Sequence, residues 1–85
     1  MKTLEELREQ LDSTDKEIMR LFSERMDISK EIGAVKKRDA IPVTNAGREE
    51  IVIAQVRACA LDSAEKDALE KVYRSVIAAS KDLEK

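Results

Sequence analysis

The chain has 85 residues, 16 basic against 18 acidic side chains, no His, no Trp, one Cys and a single Phe and Tyr. This length holds one domain, the missing His removes His-based triads and His-ligated metal sites, and a lone Cys can close neither an intrachain disulfide nor a Cys-rich zinc site, which fits a reducing cytoplasm. The charge balance argues against a general nucleic-acid binder, no apolar run approaches the ~20 residues of a membrane span, and no signal-peptide pattern opens the chain.

Ala, Glu, Lys, Leu and Arg supply 44 of the 85 residues, a composition typical of long or coiled helices. The first predicted helix covers about 4–37, opened by a Thr3–Glu6 capping box. Its stripe falls at Leu4, Leu7, Leu11, Thr14, Ile18, Leu21, Arg25, Ile28, Ile32 and Val35. The steps alternate three and four, which is a heptad seam. Gly33 costs this helix roughly 1 kcal/mol against Ala but need not end it. Pro42 forces Ile41 out of helical geometry and makes 37–42 a connection. A second helix follows at about 46–60, capped by Thr44 or Asn45. A third, capped by Asp62 or Ser63, covers about 64–83 with a stripe at Leu69, Val72, Tyr73, Val76, Ile77, Ser80, Leu83 and Glu84. Cys59, between Ala58 and Ala60, reads as a buried packing residue with no base to activate it.

A first helix of this length is ~50 Å long at 1.5 Å per residue. A compact fold of this many residues is only roughly 30 Å across. The helix overhangs its own fold, and a second copy of the chain is the simplest cover for the overhanging seam. The expected fold is all-α, with three helices per chain, a long first helix and an antiparallel, intertwined helical homodimer. One domain, 1–85, is expected.

Polar residues interrupt the stripes. Arg25 and Thr14 lie in the first, and Ser80 and Glu84 lie one turn apart in the third. Buried charge is costly unless partnered. A structural Arg25–Glu84 bridge, or fraying at the penultimate Glu84, would explain part of this. Thr14 reads as structural. Lys36 lies eleven positions after Arg25, close to three turns, so the two project from nearly one face ~16 Å apart and suit a small anion. Arg8 lies ~25 Å from Arg25 along the axis and about 100° around it, so only the Arg8 of a second, antiparallel copy could join Arg25. Taken alone, each of these cations reads as surface charge, Asn45 as an N-cap, and Glu49 and Glu50 as complements to the helix dipole.

The ordered set Leu7-Arg8, Asp15, Leu21-Phe22-Ser23-Glu24-Arg25, Ile32-Gly33-Ala34-Val35-Lys36, Pro42-Val43, Arg48-Glu49 and Ser80 resembles the all-helical chorismate mutases along essentially the whole chain. The resemblance implies an intertwined dimer that converts chorismate to prephenate on the route to Phe and Tyr, without metal or cofactor. It implies that Arg25 and Arg8 of the other copy bind the two substrate carboxylates, and that Lys36 binds a carboxylate and the ether oxygen. Arg48 and Ser80 would hold the ring-side carboxylate region, Glu49 would accept the substrate hydroxyl, and Ile32 would form apolar wall.

Two positions depart from the family pattern: Asn45 where Asp is frequent, and Glu84 where Gln is frequent. Asn45 can still cap its helix and contact a hydroxyl. Glu84 can assist the ether oxygen only as a neutral, hydrogen-bond-donating acid, and fungal members carry Glu there. Two alternatives stand beside the mutase. An isochorismate pyruvate-lyase on the same fold would use a similar dianion. A non-catalytic dimerisation module would explain the seam but not the interrupted stripes.

Overall fold

Thr3 starts the first helix as predicted: its hydroxyl accepts the Glu6 N–H at 3.1 Å while the Glu6 carboxylate accepts back from Thr3. The computed structural model describes residues 1–85 as three helices, α1 (Leu4–Arg38), α2 (Ala46–Ala58) and α3 (Ser63–Glu84). Gly33 leaves α1 unbroken through 35 residues. The helix ends in a Schellman turn, in which the Ile41 N–H reaches the Lys36 carbonyl at 2.8 Å and the Ala40 N–H reaches that of Lys37 at 3.4 Å. Ala40 takes the left-handed position of this turn at φ 55°, where Gly is usual, and Pro42 follows to prevent any restart. Asn45 caps α2 by accepting the Arg48 N–H at 3.0 Å, and Asp62 caps α3 by accepting the Glu65 N–H at 2.8 Å.

Cys59 differs from its expected place. It is exposed, at the C-cap of α2, because the helix stops at Ala58, two residues before the sequence pattern suggests. The Cys59 and Ala60 N–H groups fold back to the Val56 and Arg57 carbonyls in a tightened final turn, which carries Cys59 out of the packed face.

α3 is the central element and packs against both α1 and α2. Arg57 of α2 bonds Asp67 and Glu70 of α3 at 3.2 and 2.9 Å, while Arg74 bonds Glu70 at 3.0 Å and lies 3.6 Å from Glu50. Hydrogen bonds from Arg74 first and Arg57 second hold the Glu70 carboxyl below its ordinary value. Gly33 fits the close approach of α3 to α1. A Cβ there would lie 2.6 Å from the Glu84 carbonyl oxygen and 2.7 Å from its Cα. The absent side chain lets the last turn of α3 rest on α1.

The fold measures 55 × 26 × 14 Å. Ile53 and Ile77 are the only buried large apolar side chains. From Leu4 to Leu21 every residue of α1 except Asp15 is exposed, and Leu7 and Leu11 stand 49% and 59% open. The surface totals 6739 Å², against roughly 5,100 Å² for a compact monomer of this mass.

Candidate active site

Eleven positions along α1 carry Arg25 and Lys36 to the same side, facing the last turn of α3 and the first turn of α2. Between them lies a cavity of about 380 Å³. Arg25, Ile32, Lys36, Asn45, Arg48, Glu49, Ser80 and Glu84 all line it. These are eight of the nine residues singled out from the sequence. The ninth, Arg8, stands exposed on the overhanging part of α1 and does not line this cavity.

Cations and carboxylates are distributed unevenly in the cavity. Lys36 Nζ donates to Glu84 Oε1 at 2.6 Å and to the Val43 carbonyl at 2.8 Å. Glu84 is the last residue of α3 and is only 8% exposed, so the chain end is packed rather than frayed. The Arg25–Glu84 bridge considered from the sequence does not form. Arg25 instead donates to the Ser80 hydroxyl, with its guanidinium 5.4 Å from the Tyr73 ring centroid. Lys81 Nζ pairs with Glu49 Oε1 at 2.8 Å. Both cavity carboxylates are therefore taken by lysines. Arg25 and Arg48 have no carboxylate partner.

The four lining cations, Arg25, Lys36, Arg48 and Lys81, face two carboxylates, Glu49 and Glu84. A small anion entering here meets two uncompensated guanidiniums, which favour bidentate pairing with carboxylates. Ile28, Ile32, Val52 and Ile77 supply the apolar wall. No group of His, Cys, Asp and Glu side chains comes together as a metal site.

The profile of the family "Chorismate mutase type II" matches residues 7–85. The chain belongs to that family. Among curated chorismate mutase relatives it is 33% identical over 89 residues to the bifunctional chorismate mutase/prephenate dehydratase of Aquifex aeolicus, covering 100% of this chain and 25% of that protein. It is 33% identical over 76 residues to the T-protein of Haemophilus influenzae, covering 87% of this chain and 20% of that protein. The chain thus spans a quarter or less of the length of these two relatives. The chorismate mutase of Methanocaldococcus jannaschii is nearer in size, 26% identical over 83 residues and covered to 84%. Among solved structures, chorismate mutase (form II) from Thermus thermophilus superposes with a TM-score of 0.88 at 31% identity, covering 95% of this chain and 92% of that one.

Sequence reasoning missed Ser29, Val43 and Lys81. Ser29 is 4% exposed and lines the cavity. Its signal was present, since it lies four residues after Arg25 and four before Gly33 on the same helix face. Val43 contributes a backbone carbonyl, which residue type does not advertise. Lys81 falls beside the Ser80 stripe and reads as solvated charge until α2 is placed against it.

Proposed function

We propose that this chain catalyses the rearrangement of chorismate to prephenate in aromatic amino acid biosynthesis, as a cytoplasmic homodimer of one-domain chains that needs no cofactor. The observation that carries the reading is the pair of guanidiniums without a carboxylate partner, Arg25 and Arg48, in a cavity whose two carboxylates are each paired with a lysine. Chorismate is a small dianion and matches that charge. The reaction is internal to one molecule. An ether C–O bond breaks, a C–C bond forms, and the electrons move around a six-membered ring. No nucleophile, base or metal has to act.

The protein's task is then to hold the compact reactive conformer and to direct donors at the ether oxygen, where negative charge grows. Arg25, joined by Arg8 of the partner subunit, and Arg48 bind the carboxylates, with Ser80 holding Arg25 in place. Lys36 has three donors. Glu84 and Val43 take two of them, and the third is free for the ether oxygen. Glu49 accepts the substrate hydroxyl, Asn45 supports that end of the cavity, and Ile32 packs on the ring. Glu84 accepts one Lys36 proton at Oε1 and so holds the ammonium in place beside the ether oxygen.

The extent of exposed surface supports the dimer. This chain exposes about 1,600 Å² more than a compact monomer would. Two copies covering that excess would bury roughly 3,300 Å² in total, within the range of obligate homodimers. The apolar groove of about 360 Å³ between α1 and α3, walled by Phe22, Met26, Val72 and Val76, offers a seat for the overhanging α1 of the other copy. That arrangement delivers Arg8 of the partner subunit to the Arg25 side of the cavity.

The test is the loss of chorismate absorbance with wild type and Arg25→Ala, with isochorismate run in parallel. Wild type should consume chorismate and form prephenate, and Arg25→Ala should lose about 10²–10³-fold, as for removal of one positioned donor. Folded wild type that leaves chorismate untouched contradicts the mutase reading, and pyruvate release from isochorismate alone selects the lyase.

A further inference from the structure

We infer that Lys81 is a positioning residue for the reaction, holding the Glu49 carboxylate in the orientation that receives the substrate hydroxyl. The inference rests on the mutase reading above and adds a residue to it. Lys81 sits in the last turns of α3, directly after Ser80 and three residues before Glu84. Glu49 sits in the first turn of α2. Their side chains meet at 2.8 Å across the cavity wall and are 30% and 24% exposed. A pair open to water would contribute little. This one is half-buried, ties two helices together, and borders the space that binds substrate.

Glu49 has a specific difficulty. A carboxylate beside a dianionic ligand repels it, yet its acceptor oxygen is wanted at the hydroxyl. Lys81 resolves both sides. Its charge compensates Glu49, leaving the two guanidiniums as the net charge offered to the ligand. Its hydrogen bond occupies Oε1 and fixes the rotamer, which leaves Oε2 free to accept. Lys36 does the same for Glu84 on the opposite side. The cavity is thus built from two lysine-locked carboxylates between two open arginines. Lys81 acts through Glu49, without touching the substrate.

The test is a double-mutant cycle between Lys81→Met and Glu49→Gln, read as kcat and KM for chorismate, with thermal melting as the fold control. Lys81→Met should raise KM about tenfold and change kcat less than about threefold, the signature of lost binding shared by ground and transition states. Lys81→Arg should restore most of the KM. In the Glu49→Gln background the Lys81→Met effect should largely vanish, because there is no carboxylate left to compensate or orient. Lys81→Ala replaces the Met variant if the latter does not fold. Unchanged KM in folded Lys81→Met, or an equal loss with and without Glu49, overturns the inference while leaving the mutase reading intact. A folded wild type without chorismate turnover overturns both.

Discussion

The two halves of α1 share one heptad seam and differ in what lies beside it. From Leu4 to Leu21 the seam is apolar apart from Thr14, and it lies bare. From Arg25 to Val35 the same seam is interrupted by a cation and its apolar members are exposed too, but the flanking face, with Ser29 and Gly33 buried, is backed by α3, and Ile28 and Ile32 open onto the cavity. The first half has surface to cover and no chemistry of its own except Arg8. The second supplies one wall of the cavity, with Arg25, Ile32 and Lys36 lining it. A continuous hydrophobic period therefore does not specify one role. What packs against each stretch decides whether it becomes an interface or a site.

The bare half of α1 is the more sensitive of the two to substitution. Replacing Leu7 and Leu11 together by Asp puts charge where the account needs a covered seam. The expected outcome is loss of the dimer in sedimentation, loss of cooperative melting, and activity reduced at least ~10²-fold, since an obligate dimer has little monomer stability to fall back on. A variant that melts and turns over like wild type would show that the exposed seam covers nothing.

A smaller effect sharpens the other half. Gly33→Ala should gain roughly 1 kcal/mol from helix propensity alone. The contact with the Glu84 backbone predicts the opposite sign, because an atom 2.6 Å from a carbonyl oxygen must push α3 away. Overpacking of this kind costs roughly 1–3 kcal/mol. Net destabilisation by thermal melting, with activity down about tenfold through displacement of Glu84, is the expected result. A stabilised, fully active variant would mean that α3 does not rest on Gly33.

The smallest effect lies away from the seam, in the α2–α3 ion pairs. Glu70 is held below its ordinary value of 4.5 in the folded chain by Arg74 and then Arg57. Its contribution is present above the unfolded carboxylate's range and is lost as pH falls through the folded one. The melting temperature of wild type should exceed that of Glu70→Gln at neutral pH, and the gap should close below about pH 4.5. A gap that persists in acid would remove the ionised carboxylate as its cause.

Much of this was legible in the chain. Alternating steps of three and four mark α1, its length implies the overhang, Thr3 announces the first helix start, and the other two are narrowed to Thr44 or Asn45 and to Asp62 or Ser63, of which Asn45 and Asp62 are the caps. Eight of the nine singled-out residues share one cavity because helical period already puts Arg25, Ile32 and Lys36 on one side of α1. Partner choice was not legible. Lys36 reaches Glu84 across 48 positions and Arg25 reaches Ser80 across 55, and no local period encodes which cation meets which carboxylate. Gly33 was misleading for the same reason. Read locally it is a weak point of the helix, whereas its value lies in what it lets another helix do. Cys59 failed at a boundary, where one tightened turn moved it from a packed face to solvent.

In the proposed dimer each cavity takes Arg25 from one copy and Arg8 from the other. Arg8→Ala and Arg25→Ala should each be nearly inactive alone. Unfolded together in equal amounts and refolded, they should form mixed dimers in which one cavity carries both defects and the other neither, restoring about a quarter of wild-type activity. Activity no greater than the average of the two variants would contradict the shared cavity.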